Sequence, residues 1–495
     1  MLDERQANEF ERTRSISVEP KAVSRREFLK MAGLAGATLG MGAGLGGLLA
    51  ACGEEGTTTT TAGAGPITTS GTTTSATVPA STTTVVTSAE EGRVIKVGYV
   101  VSKTGSIASF GIPSDWIVDH WMTALANGVV DGDGKNHRIQ MEVQDTQSDV
   151  NRVSQVTGDL IQNAKVDVVF MGGTPDTCNP ASDQCEAFGT PGIADNVPME
   201  PWFFGRGGTP DKPFKWTWAM AGPFFGLTGS WVQMWDQLPT NKKVGMFFAN
   251  SADGHAFSDE KTGAPYFARS GGYEVLLPDL YAPGTEDFTS VISLFKKAGC
   301  EIAASIAVPP DFTNFWKQAR QQGFNPKIMT CGLALLFEET VIAIGPSAIG
   351  LTCEAPWHPS WPYIDSLTGM TCKQLADDYE TKTGRQWTQA IMQLGMMEIF
   401  ADAVKRTKDI DDKAALSAAI GSTNIMTAQG PCDFTAPVGS ESHPVPNAVS
   451  APMAGGQWRK STDPRWQYQL TYLASTYVPG MKAGTAGTLE PVKYG

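Results

Sequence analysis

From residue 94 onward, short unbroken apolar runs alternate with amphipathic stretches. The runs VIKVGYVV (94–101), VDVVFM (166–171), KVGMFF (243–248) and IAASIAV (302–308) are too short for helices and carry little polar alternation. That is the mark of strands buried on both faces of a parallel sheet. Between them, apolar residues recur at helical spacing. Residues 145–163 bring Val153, Val156, Leu160 and Ile161 onto one face. The same reading predicts helices at 114–127, 226–235, 256–271, 288–298 and 311–323, and strands at 137–143, 273–277 and 327–331. Strand–helix alternation of this kind builds parallel sheets covered by helices. It runs once to about residue 220 and again to about 350, so the expectation is an α/β chain with two lobes. Beyond 351 come helices at 372–383, 387–406 and 414–419, hairpin-like strands within 430–458, and a Gly-rich tail, 481–495, expected to be loose.

One stretch concentrates the chemistry: VDVVFMGGTPDTCNPASDQCEAFGTPGIADNV, residues 166–197. A buried strand is followed by a polar loop. Asn179-Pro180 then reads as a helix start, because Asn caps and Pro fits the first turn. Gly189 reads as the stop. The loop Gly173–Thr177 therefore lies beyond the carboxyl end of a strand and before a helix. Open α/β sheets bind small polar ligands at such places, where free backbone N–H groups and the helix dipole face a crevice. This loop is expected to form one jaw of a ligand cleft.

The first 92 residues change the picture from fold to address. Ser24-Arg25-Arg26-Glu27-Phe28-Leu29-Lys30 matches the twin-arginine export pattern, and a weakly hydrophobic Gly/Ala-rich segment follows. It ends Leu49-Ala50-Ala51-Cys52, which resembles a bacterial lipobox in which Cys52 becomes diacylated. Residues 1–51 are thus read as a lipoprotein signal peptide, and acyl chains on Cys52 as a membrane anchor at the extracytoplasmic face. Residues 52–92 are Thr, Ser, Gly, Ala and Pro with few large apolar side chains, a composition that cannot offset its ordering entropy. About 40 such residues span roughly 35 Å root-mean-square, a tether long enough to lift a folded body off a membrane.

The formal net charge of −13 argues against nucleic acid or an anionic membrane surface as partner. Seven cysteines remain after Cys52, an odd number, with no CxxC or Cys/His spacing for zinc. Cys353 and Cys372 are the expected pair if any bridge forms. Asp131-Gly-Asp-Gly-Lys-Asn136 imitates the start of a calcium loop, but Lys135 stands where an oxygen ligand belongs, so it is read as a turn. No cofactor or metal is expected. There is no G-x-S-x-G elbow, HExxH or Walker loop, so the chain is read as a non-enzyme.

Five segments in order carry a family resemblance: GYVVSKTGSIASFG, DTQSDVNRVSQVTGDLI, TCNPASDQCEAFGTPGI, PPDFTNFWKQARQQGFNPKI, and GPCDFTAP with GGQW. Together they resemble the branched-chain-amino-acid-type solute-binding proteins of ABC importers, which have the type I periplasmic binding fold. The resemblance implies two Rossmann-like lobes with parallel sheets joined by a three-crossover hinge. Lobe one would be 93–221 plus 353–429, and lobe two 222–352 plus 430–480. It implies a monomer that captures a small polar organic solute and delivers it to membrane permease subunits. A sensing subunit of the same fold and an exported enzyme are the alternatives.

Carried over by these motifs, the ligand contacts would be Phe110, Thr174, Asp176, Thr177, Asp195, Asn196, Asp253, His255 and Trp357, with Gly173 in the loop and Trp361 a further candidate. The departures are informative. Amino-acid-binding members hold the α-carboxylate with a Ser and a Thr, where Pro175 and Pro198 stand here. The acidic partner of the α-ammonium falls near Ala334. A desolvated ammonium needs a charge partner, for which Asp253 or Asp195 could substitute. The ligand class is therefore left open between an amino acid and another small organic solute.

Overall fold

The computed structural model describes residues 89–482 and 486–494. The signal segment, Cys52 and nearly all of the tether lie outside the described residues.

Lobe one is built on a six-stranded, wholly parallel sheet. Its strands are β1 (Ile95–Val101), β2 (Ile139–Asp145), β3 (Val168–Gly172), β4 (Gly192–Pro198), β5 (Thr217–Gly222) and β11 (Ala448–Ser450). Their order is β11-β5-β4-β3-β1-β2. Lobe two holds β6 (Lys243–Phe247), β7 (Glu274–Leu276), β8 (Ile302–Ser305), β9 (Ile328–Cys331), β10 (Thr352–Ala355), β12 (Met453–Lys460) and β13 (Tyr468–Tyr477). Its order is β7-β6-β8-β9-β10-β12-β13, parallel as far as β10 and antiparallel beyond. In both sheets the first strand of the lobe lies inside, next to the third, so strand order reverses there. That reversal leaves a crevice at the carboxyl ends of the strands.

The apolar runs became buried strands for the reason the pattern suggests. All five residues of β3 are buried, since helices cover both faces of the sheet. In lobe two, Phe247 of β6 stacks on Phe315 at 4.0 Å between ring centroids, joining strand to covering helix. Fully buried indoles, among them Trp121, Trp202, Trp231 and Trp235, fill the space between sheets and helices.

Three crossovers join the lobes: β5 at Gly222 into the next helix, β10 at Ala355 into Pro356, and β11 into β12 through Ala451 and Pro452. Two boundaries therefore differ from expectation. Residue 353 lies within a lobe-two strand, and 430–450 belongs to lobe one, because β11 pairs with β5. The strands expected within 430–458 form at Gly430–Asp433, Ala448–Ser450 and Met453–Lys460, the first pairing back with Asn424–Thr427 and the last forward with Tyr468–Tyr477.

Two further expectations are corrected. The helix after β3, α1 (Pro175–Phe188), starts five residues before Pro180. Thr174 and Thr177 form a reciprocal capping box and Pro175 occupies the first helical position, so the stronger start wins and Pro180 is carried inside the helix. The final segment is also not loose where described. Leu489 and Val492 are buried, the Val492 N–H donates to the Lys327 carbonyl at 2.9 Å, and the Tyr494 hydroxyl donates to the Pro326 carbonyl at 2.6 Å. Its apolar residues find a place on lobe two that the Gly-rich composition concealed.

The expected Cys353–Cys372 bridge is absent. All seven described cysteines are free and buried. Cys353 sits within β10, whereas the Cys372 thiol lies 3.3 Å from the Ala428 carbonyl in lobe one.

Candidate functional site

The two lobes meet around a cavity. Its apolar wall includes Phe110 and Met392 from lobe one and Leu227, Leu333, Leu336 and Met453 from lobe two. Its polar side chains are Asn196, Glu354 and Gln429. Gly222, Pro356 and Ala451 also line it, so each of the three crossovers runs along its wall.

Phe110 is held at this seam from both sides. Its ring meets Phe337 of lobe two edge-on, with centroids 4.8 Å apart. Its carbonyl accepts from Gln393 Nε2 at 3.0 Å, and Gln393 Oε1 accepts from the Tyr99 hydroxyl at 2.6 Å. Asn196 lies within β4, at the irregularity between Asp195 and Pro198, in the left-handed region at φ 58°, a conformation Asn tolerates. Leu333 does the same after β9 at φ 47°, where a bulky side chain is strained. Both therefore turn the chain sharply at the cavity.

Asp195 lies directly beneath, buried, accepting from the Asn196 N–H and, at 3.1 Å, from Gln429 Nε2. Burial pushes its carboxyl up to about 8. Gln429 Oε1 and Asp195 Oδ2 are buried with no hydrogen-bond partner.

The other expected residues take different places. Gly173 lines the cavity at φ 146°, and a side chain there would collide with Thr177 Oγ1. Thr174 and Thr177 spend their polar groups on each other: the Thr174 N–H donates to Thr177 Oγ1 at 3.2 Å, and that hydroxyl donates to the Thr174 carbonyl at 3.1 Å. Asp176 is half-buried at the lobe seam, accepting weakly from the Ala252 N–H at 3.4 Å across the lobes. Asp253 belongs to the short helix α2 (Ala252–Ser258), whose Ser251 cap accepts from the Gly254 N–H at 3.1 Å. Its carboxyl is buried and Oδ1 lacks a partner. Burial raises its pKa well above the ordinary range, and the charges of Asp176 and Glu354 add to this. None of these three residues, Thr174, Thr177 or Asp253, reaches the cavity wall.

His255 is exposed, bonds Asn250 Oδ1 at 2.8 Å, and lines a neighbouring groove with Asn179 and Glu200. Trp357 is a correction. Flanked by prolines it suggests a stacking platform, but it is fully buried behind the wall, donating to the Ala428 carbonyl at 3.0 Å and packing on Trp387. Trp361 is buried beside Tyr363, and Ala334 lies in the core.

Sequence reading passed over Glu354 and Gln429. Glu354 ends a buried strand beside Trp231, whose indole N–H donates to its Oε2 at 2.9 Å. Burial raises its pKa as well. An acid inside the otherwise apolar and neutral run TCEA was the available signal. Gln429 sits in a tight turn with no periodicity to mark it.

Comparison with known proteins agrees with this architecture. Among solved structures, LivJ of Streptococcus pneumoniae, a branched-chain amino acid transporter substrate-binding protein in complex with isoleucine, is 17% identical. The match covers 77% of this chain and 99% of that one at a TM-score of 0.59. An ABC-transporter solute-binding protein of Rhodopseudomonas palustris BisB5, in complex with 3,4-dihydroxybenzoic acid, is also 17% identical, covering 78% and 98% at 0.61. Another from R. palustris, in complex with 4-hydroxybenzoate, is 16% identical, covering 78% and 97% at 0.62. Likeness at this identity establishes the type I periplasmic binding fold. A family profile described as periplasmic binding protein matches residues 94–459, well over half of the sequence, and the chain therefore belongs to the periplasmic binding protein family.

Proposed function

We propose that this chain is the extracytoplasmic solute receptor of an ABC importer, exported by its twin-arginine signal and anchored through acylated Cys52. The observation that carries this reading is the position of the cavity, between two lobes and against all three crossovers. A solute bound there touches both lobes at once and lies on the hinge itself. It therefore binds the closed form more tightly than the open one and shifts the population toward closure. The closed pair of lobes is the shape a permease can distinguish from the empty receptor.

The wall chemistry favours a small organic solute with an apolar body. Isoleucine and the hydroxybenzoates named for the similar proteins share that property. Small-angle scattering before and after ligand addition tests the mechanism. The expected result is a smaller radius of gyration on saturation, and an unchanged one counts against hinge closure. For the anchor, radiolabelled fatty acid should enter the wild-type protein in its host and be absent from Cys52→Ser.

A further inference from the structure

The polar groups of the cavity are unbalanced in a way that bears on what enters it. Among the described residues, no Lys, Arg or His lines the wall. Helix starts could supply N–H donors instead, but at two of those near the seam the leading N–H is already taken. In α1 the cap N–H of Thr174 is taken by Thr177 Oγ1, and the first helical residue, Pro175, has no N–H. At the helix Phe224–Trp235, the first N–H donates to both carboxylate oxygens of Glu200 at 3.0 Å. Among the described residues, a carboxylate brought into this cavity finds no cation, and Asn196 is the one side-chain amide on the wall whose N–H groups are not already committed. Its desolvation would be compensated only in part.

The acceptors are in surplus. Glu354 presents a carboxyl group to the cavity. Gln429 also lines the wall; its Nε2 is committed to Asp195, and its Oε1 is buried and unpartnered. No Lys or Arg pairs with Glu354, Asp176 or Asp253 among the described residues. A desolvated ammonium is stabilised by this arrangement, since charge-assisted hydrogen bonds to an acid and an amide oxygen replace its lost water.

Resting on the receptor reading above, we infer that the interlobe cavity selects an amine: a small ligand with an apolar body and a protonated nitrogen held by Glu354 and Gln429, and without a carboxylate. The apolar wall of Phe110, Leu227, Leu336 and Met392 takes the body of the ligand.

The test uses matched probes on the full chain: phenethylamine and isobutylamine against phenylacetate and isobutyrate, with phenylalanine and leucine carrying both groups. Thermal shift and calorimetry rank them on the wild type. The expected result is at least tenfold tighter binding of each amine than of its matching carboxylate, and at least tenfold weaker amine binding in Glu354→Gln. The wild-type ranking stands even if that variant folds poorly. Equal or tighter binding of the carboxylates or of the amino acids overturns the inference and leaves the receptor reading intact. So does amine binding unchanged in Glu354→Gln. If no probe of any class binds, and native mass spectrometry finds the host-purified protein empty, the receptor reading falls with it.

Discussion

Phe110 of lobe one and Phe337 of lobe two meet edge to face across the interlobe seam, ring centroids 4.8 Å apart, and both are fully buried. This contact exists only while the lobes are together. It therefore contributes to the closed state and not to the open one. Phe110 also forms part of the cavity wall, so it joins closure to ligand contact.

Phe110→Ala is expected to destabilise the protein by about 3 kcal/mol, as for removal of a buried ring. It should also shift the unliganded protein toward the open form. Denaturant unfolding reads the first effect and scattering the second. A variant that loses stability while keeping its radius of gyration would show that the ring packs lobe one alone.

Leu333 carries a positive φ of 47° at the cavity wall, a conformation that costs a branched residue of the order of 1 kcal/mol. Leu333→Gly relieves that strain and removes an apolar wall. The expected outcome is a melting temperature within a few degrees of wild type together with weaker ligand binding. Clear destabilisation with unchanged affinity would place the residue in the core and remove it from the site.

Stability should fall as pH rises. Burial holds the Asp195 carboxyl at about 8, against 3.8 ordinarily. Between those values the folded state keeps a proton that the unfolded chain has released, so rising pH favours unfolding. Glu200, raised to about 7, acts in the same sense, as do Asp253 and Glu398. Thermal melts should show lower midpoints at pH 8 than at pH 5. Asp195→Asn keeps an oxygen for the Asn196 N–H and the Gln429 amide. It should raise the midpoint by several degrees at pH 8 and change it little at pH 4. A pH-independent midpoint in the wild type contradicts this account.

The seven described cysteines are free and buried, and burial pushes their thiols up, Cys372 to about 12. Such thiols are poor nucleophiles. A reductant should leave the melting temperature unchanged, and thiol reagents should react slowly until the protein is unfolded. A drop of several degrees on reduction would reveal a bridge.

Much of the scaffold was legible because burial leaves a simple trace. VDVVFM reads as a buried strand and becomes one, since a run without polar alternation has nowhere else to go. Phe110 and Asn196 are reached through the family resemblance of their motifs, and both line the cavity. What escaped was determined by contacts distant in sequence. Strand β11 is three residues long, AVS, and exists because β5 leaves an edge for it to pair with. Trp357 between prolines looks the same in sequence whether it faces a ligand or a second tryptophan. Pro180 resembles a helix start, but Thr174 and Thr177 satisfy each other more completely. Gln429 is brought to the cavity by its turn and by Asp195, 234 residues away in sequence.

The central claim is that the space between the lobes holds a solute. Native mass spectrometry of the protein purified from its own host tests it most directly, run beside Leu227→Trp, whose indole would fill the cavity from lobe two. The expected result is a one-to-one small-molecule adduct on the wild type that is missing from a variant still melting cooperatively. An empty wild-type protein that also binds nothing from a metabolite panel, or an adduct that persists in Leu227→Trp, would contradict the account.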